Sequence, residues 1–397
     1  MKNDVQTLPQ EFVDQLVTLY NQGKYLTLIE RAQSLEIEYS EAFFIWNILG
    51  AAFTQSKMMD KSIEAYKKCI SLNPDYVDAY NNLGVALHNQ NKFDEAVEQF
   101  KIALSMKPSY FEAYNNFGVV LHDQDKFDEA IKAFTKCISL NPDYPNVYFN
   151  LGNVYKDQGE LDKAIEVYNK CIILNPNYVE AYNNTGNAYR DKGKLDNAIK
   201  AYNKALLINP NFAEANKNLS FSLLSSGKIK EGLDKYEWRW KTKNMLSQLR
   251  HLPQPLWDGQ ESLKGKRILI WSEQGIGDTL NWVSRLPLIT SQADHTILEC
   301  QEKLVPLLER SFPNIKVKSE DRSLDSNRND FDIHLPMGSI YKYLIEEILK
   351  NPKVDPYLIP DPIRVNFWKE RLHSLGKGPY VGISWKSSVV SDYRRQH

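Results

Sequence analysis

The sequence predicts an α-solenoid followed by a partial, doubly wound α/β lobe. Two observations predict this. Over the first 240 residues, proline, glycine, small and aromatic residues recur with a period of 34. After Lys266, short β-branched runs alternate with amphipathic helical ones. A period of about 20 to 50 residues marks a repeat array, in which each unit buries its apolar face only by stacking on its neighbours. Strands alternating with helices mark a parallel sheet covered by helices.

Composition sets the frame for both. A chain of 397 residues has room for two or more domains, and 42% hydrophobic with 25% charged residues is ordinary for a water-soluble fold. A net charge of −1 makes no case for nucleic acid or an anionic membrane surface. The N-terminal "MKNDVQTLPQEF" lacks the apolar core of a signal peptide. No run approaches the roughly 20 apolar residues of a membrane span. Four cysteines in this length do not make a disulfide framework. A cytoplasmic location is the expectation.

Each repeat reads as two helices and a short turn. Prolines stand at Pro74, Pro108, Pro142, Pro176 and Pro210, and glycines at Gly50, Gly84, Gly118, Gly152 and Gly186. Small residues stand at Ser62, Ala96, Ala130, Ala164 and Ala198, and aromatics at Tyr66, Phe100, Phe134, Tyr168 and Tyr202. In the copy "YNNLGVALHNQNKFDEAVEQFKIALSMKP", Leu83, Ala86 and Leu87, then Phe93, Ala96, Val97, Phe100 and Leu104, follow helical spacing. Gly84 and Ala96 let the two helices approach closely. Asp94 places an acid at the positive end of the second helix, and Pro108 stops it. Five good copies run from 43–76 through 179–212. Degenerate copies at 9–42 and 213–240 are expected as caps, which places the repeats at 9–240.

Cys69, Cys137 and Cys171 share one repeat position with Ala103 and Ala205, a site for a small apolar side chain. Stacked equivalents lie roughly 8–10 Å apart, too far for a disulfide. The same spacing keeps His88 and His122 from sharing a metal. Two rows of asparagine are less ordinary, because asparagine is a poor helix former. One row holds Asn82, Asn116, Asn150, Asn184 and Asn218, and the other Asn47, Asn81, Asn115 and Asn183. Each amide offers donors and an acceptor, so a regular row suits the backbone of an extended peptide. Use of the amides between helices, or mere duplication, is the alternative.

The repeat resembles the tetratricopeptide repeat over most of that family's signature positions. The resemblance implies a superhelix whose first helices line a concave, polypeptide-binding face. The asparagine row is similar to the ladder in the repeat domain of O-linked N-acetylglucosamine transferase, which holds substrate polypeptide. The carboxylate clamp of some tetratricopeptide proteins needs cations on the first helices. Here those helices start with Asp78, Glu112, Glu180 and Glu214, and Lys217 stands alone beside the row.

Residues 241–262 read as a linker and packing segment, with Trp238, Trp240 and Trp257 near Pro253 and Pro255. From 263 onward the strand candidates are 267–271, 295–300, 315–319, 330–335 and 380–385. The helical stretches between them are "DTLNWVSRLPLI", "EKLVPLLERSF", "SIYKYLIEEIL" and "RVNFWKERLHSL". In "RILIWSEQGIGDTLNW", the first strand turns into the first helix, at the strand end where such folds bind ligands. Free N–H groups at a helix start favour an anion there. The dinucleotide fingerprint is incomplete, since Leu280 holds the place of its third glycine.

Together "PLWDG", "GKRILIWSEQGIGDTLNWVSRLPLI", "FDIHLP" and "VGISWK" resemble the Rossmann-like first lobe of the heptosyltransferase-like, two-lobed glycosyltransferases, as found C-terminal to tetratricopeptide repeats. That resemblance implies that the Gly277–Asp278 pair faces the acceptor, with Asp278 as the candidate base. It assigns Glu273, Gln274, Gly275 and Arg285 to the acceptor or anion turn. N-capping of the following helix is the other reading of Asp278, and strand-end packing that of His334. The resemblance implies a nucleotide-sugar donor for a complete enzyme and no cofactor or metal held by this chain. Residues 263–397 make only a first lobe, so the expectation is that the chain alone does not transfer sugar. The alternative is a non-catalytic scaffold with a vestigial lobe. The partner expected in the groove is a polypeptide rather than nucleic acid.

Overall fold

The computed structural model describes residues 8–353 and 356–374. It divides into two compact units, Met1–Arg239 and Trp240–His397. The candidate strand at 380–385 lies outside the described residues.

The first unit is a row of helical hairpins. They are α1 (Gln10–Asn21) with α2 (Tyr25–Glu36), α3 (Phe43–Gln55) with α4 (Met59–Leu72), and α5 (Val77–Asn89) with α6 (Phe93–Met106). Then come α7 (Phe111–Asp123) with α8 (Phe127–Leu140), α9 (Pro145–Asp157) with α10 (Leu161–Leu174), α11 (Val179–Asp191) with α12 (Leu195–Ile208), and α13 (Ala213–Ser225) with α14 (Ile229–Tyr236).

The repeating glycine and aromatic belong to one device. A Cβ added at Gly50, Gly84, Gly118 or Gly186 meets the ring of Tyr66, Phe100, Phe134 or Tyr202 at 2.5–2.8 Å, and Gly152 stands the same way against Tyr168. Each first helix thus opens a slot for the aromatic of its own second helix. The turn inside each hairpin needs a left-handed residue. Gly23, Lys57, Asn91, Asp125, Gly159, Gly193 and Gly227 fill it in succession, all with φ between 57° and 81°. Cys69, Cys137 and Cys171 are free and buried, and burial pushes each thiol up to about 12.

The second unit opens with α15 (Lys243–Leu246) and holds a parallel sheet of β1 (Arg267–Trp271), β2 (His295–Cys300), β3 (Lys316–Ser319) and β4 (Ile333–Pro336). The strand order is β3-β2-β1-β4. Two helices lie in sequence between β1 and β2: α16 (Ile276–Val283) and α17 (Pro287–Thr290). The single helix expected there is split, because Pro287 cannot continue α16 and instead starts a new turn. α18 (Val305–Ser311), α19 (Ile340–Tyr343), α20 (Ile345–Lys350) and α21 (Pro362–Ser374) complete the described α-helices.

β4 starts later than the expected 330–335. Asp332 holds the Arg267 N–H at 2.9 Å and its guanidinium at 2.6 Å, and Asp330 pairs with Arg328 at 2.7 Å, so both acids serve the strand's entrance. The sheet buries both faces. Ile268, Ile270, Leu298 and Cys300 join Trp282, Val283, Leu286, Ile340 and Leu344 in the larger core. Leu269, Trp271 and Ile297 point the other way, with Phe331, Trp240 and Leu252. No described helix is long and apolar enough to cross a membrane.

Candidate functional site

The two asparagine rows are joined to each other. Asn82 donates to Asn47 (3.2 Å), Asn116 to Asn81 (3.0 Å), Asn150 to Asn115 (2.9 Å) and Asn218 to Asn183 (3.0 Å), always back to the preceding repeat. Within a repeat, Asn81 donates to Asn82 (3.2 Å), Asn115 to Asn116 (3.4 Å) and Asn183 to Asn184 (3.2 Å). The row of Asn81, Asn115 and Asn183 is buried at 6–7% exposure, whereas Asn82, Asn116, Asn150, Asn184 and Asn218 are half-buried. The inter-helix use of these amides is therefore real. It does not exhaust the outer row, since each amide there has one N–H and at least one lone pair beyond these bonds.

The bonds form two polarised runs. The first passes from Asn150 through Asn115, Asn116, Asn81 and Asn82 to Asn47, which donates to the Tyr76 hydroxyl at 3.4 Å. The second passes from Asn218 through Asn183 and Asn184 to Asn153, which also accepts the Tyr168 hydroxyl at 2.7 Å. Phe149 holds the place of an inner asparagine between the runs and stacks on Tyr178 with ring centroids 5.1 Å apart. Sequence spacing located both rows but not their direction, which depends on how far each amide reaches.

The ends of the first helices carry a second coupling. His88 Nε2 lies 2.6 Å from Asp123 and His122 Nε2 lies 2.9 Å from Asp157, each across one repeat boundary. Burial raises the Asp157 carboxyl, but the His122 bond and the Lys156 charge outweigh it and hold it below the ordinary value. Among the described residues no group of three or more acids, histidines or cysteines is placed to hold a metal ion. At the helix starts, Asp78, Glu112 and Glu180 have no ion-pair partner among the described residues, while Glu214 meets Lys217 at 2.5 Å.

In the second unit the turn after β1 carries the predicted cluster, and the structure separates its members. Gly275 is the N-cap of α16, so Asp278 is not the cap but lies in the first turn, exposed. There its charge meets the positive end of the helix. Gly277 has open space where a Cβ would stand. Gln301, just beyond β2, pins the turn by donating to the Gln274 carbonyl at 2.6 Å, and its Oε1 accepts from Thr279 at 3.1 Å. Glu273 is buried and its Oε1 accepts the Gly338 N–H at 2.8 Å, tying the end of β1 to the residues after β4. Any side chain at 338 would collide with that carboxylate, which is why glycine stands there. Arg285 sits beyond the other end of α16 and donates to the carbonyls of Asn351 (3.1 Å) and Pro352 (2.9 Å). It braces a loop at a distance from the turn.

His334 is buried, and its Nδ1 accepts the Trp271 indole N–H at 3.3 Å. Burial first, and the Arg250 charge second, lower it to about 4, so the ring is neutral at pH 7. Beside it runs an ionic network that no local sequence pattern marks in full. Glu299, next to the carboxyl end of β2, accepts from Arg250 at 2.6 Å and from Arg328 at 2.6 Å, and Arg250 also grips Asp325. The legible sign was an acid inside the apolar run "HTILEC". Its partners lie 49 and 29 residues away, beyond any local pattern.

Comparison with known proteins bears on the first unit. The family described as "TPR repeat" matches residues 50–91, 120–159 and 152–189, and "Tetratricopeptide repeat" matches 77–110 and 179–212. Protein FlbA of Caulobacter vibrioides is 33% identical over 178 residues, covering 41% of this chain; the chain spans 30% of that relative's length. A chain of the APC/C hetero-tetramer Cut9–Hcn1 crystal structure is similar in fold with a TM-score of 0.51 at 17% identity, over 58% of this chain and 45% of that one. A MamA crystal structure is 33% identical over 43% of this chain and 94% of its own, with a TM-score of 0.38. The hairpins between residues 50 and 212 are therefore tetratricopeptide repeats, a scaffold for protein interaction.

Proposed function

We propose that the first unit holds an extended polypeptide along its first helices, with Asn82, Asn116, Asn150, Asn184 and Asn218 bonding the ligand's backbone. The observation that carries this reading is the half-buried outer row. Its amides are held in register by bonds to the inner row, so little side-chain entropy is lost when they engage a ligand. A backbone-directed row reads the extended shape of a ligand rather than its side chains. The experiment is binding of random-sequence peptides to the full chain and to a triple Asn116→Ala, Asn150→Ala, Asn184→Ala variant. A tenfold or greater loss is expected, and unchanged affinity with an intact fold removes the reading.

A second reading concerns the α/β unit and is favoured by the strand order β3-β2-β1-β4, with an exposed acid at the carboxyl end of β1. In a glycosyltransferase of two lobes, Asp278 would accept the proton of an acceptor hydroxyl as that oxygen bonds to the sugar and the nucleotide departs. The nucleotide-sugar donor would bind elsewhere in the complete enzyme. Sugar transfer by the full-length protein that survives Asp278→Asn undiminished would refute the role of this acid. A non-catalytic scaffold predicts no transfer in either form.

A further inference from the structure

The asparagine row is uniform in sequence but not in hydrogen bonding, and the difference falls at two positions. Asn82, Asn116 and Asn184 each have a carbonyl oxygen that already accepts from the asparagine before it. Asn150 does not, because the preceding residue is Phe149, which has no amide. Asn218 does not either, because the preceding residue is Lys217, whose ammonium is turned to Glu214. Among the described residues, neither oxygen accepts a bond. Both amides nevertheless donate, to Asn115 and Asn183, and so stand at the head of the two runs.

A run of amides bonded in one direction polarises its members, so each donation makes the donor's own carbonyl a better acceptor. At the heads that gain has no protein group to receive it, and both lone pairs remain open. Resting on the reading of this face as a polypeptide site, we infer that Asn150 and Asn218 are its two principal anchors, each accepting a backbone N–H of the ligand through Oδ1. The other row members are supporting contacts. The two heads are two repeats apart, roughly 20 Å at ordinary helix spacing. An extended chain covers that in about six residues. The ligand is therefore an extended segment with two free N–H groups about six residues apart. A proline at either place, lacking the donor, is excluded.

The test uses the full chain and a phage-displayed library of random peptides of about 12 residues, long enough to reach both heads. A selected peptide is then made synthetically with a fluorescent label and with single backbone N-methyl groups moved along it. Methylation at two positions about six residues apart should weaken binding about tenfold each, the effect of one lost hydrogen bond without compensation. Asn150→Ala and Asn218→Ala should each weaken it about tenfold, against threefold or less for Asn82→Ala and Asn116→Ala. The order in thermal stability should be the reverse, because the last two break two internal bonds and the first two only one. Phe149→Asn supplies the missing amide donor and should weaken binding about threefold, whereas Phe149→Leu should not. Equal losses along the row, or an even response to N-methylation, would overturn the anchors and leave the groove reading standing. Failure of any library peptide to bind would overturn both.

Discussion

Replacing Gly118 by alanine sets two opposed effects against each other. In an open helix, alanine in place of glycine stabilises by about 1 kcal/mol. At 118 the new methyl would stand 2.6 Å from Phe134 Cε1 and 2.8 Å from Cδ1 and Cζ, about 1 Å inside ordinary carbon contact. The ring is fully buried, so it has nowhere to go. Overpacking costs about 1–3 kcal/mol, and an overlap of about 1 Å against a ring that cannot move belongs to the upper half of that range, which leaves a net loss of about 1–2 kcal/mol. Urea unfolding of the full chain measures it, and amide hydrogen exchange should place the weakening in α7 and α8, since a stacked repeat transmits strain mainly to its neighbours. Gly118→Ala combined with Phe134→Leu should recover most of the loss, because the shorter side chain vacates the slot. Gly277→Ala is the control, with open space at the Cβ position, and should be neutral or stabilising. A Gly118→Ala protein as stable as the parent would refute the slot as the reason for the repeating glycine.

Further outcomes follow from other sites. Lys57 holds a left-handed φ of 61° at the turn position that Gly23, Gly159, Gly193 and Gly227 fill in other hairpins; Lys57→Gly should stabilise by about 1 kcal/mol, read as a higher urea midpoint. Glu299→Gln removes the charge that two buried arginines share and should destabilise the second unit by about 3–5 kcal/mol, seen as early loss of near-ultraviolet signal from Trp271. His334 is lowered to about 4 from an ordinary 6.5, so between those pH values the unfolded chain takes up a proton that the folded chain refuses. Stability should rise with pH across that window by about 3 kcal/mol, be lost on acidification through it, and change little from this residue below pH 4. His334→Asn, measured by urea unfolding at pH 4.5 and 7, should flatten the dependence.

The solenoid was legible because its physics is local and repeated. Each hairpin poses the same packing problem, so glycine, alanine and the aromatic return at one spacing, and the slot at Gly118 explains why they return together. The left-handed turn was equally periodic but passed unseen, because Lys57, Asn91, Asp125 and four glycines share a backbone angle rather than a residue type. Spacing alone reveals the asparagine rows, and it leaves their purpose between ligand and packing. The bonds show that the inner row is packing. They also show why the outer row stays ordered, which no count of asparagines contains.

The second unit was legible in its strands and much less so in its turn. Apolar runs such as "RILIW" and "HTILEC" announce a sheet because alternating residues must fill two buried faces. The turn "SEQGIGD" and Arg285 read as one constellation, yet these residues do different work. Glu273 and Arg285 hold backbone groups far along the chain, at Gly338 and at Asn351 and Pro352. Those partners are 65, 66 and 67 residues distant, and no local pattern names them. What remains exposed at the turn is Gly275, Ile276, Gly277 and Asp278, of which Asp278 alone carries a charge. A site at this strand end therefore depends on one carboxylate over an open glycine, with Gln301 beneath it fixing the backbone. Removing Gln301 should loosen the turn without touching the acid. That separates a positioning role from a chemical one in any activity later measured there.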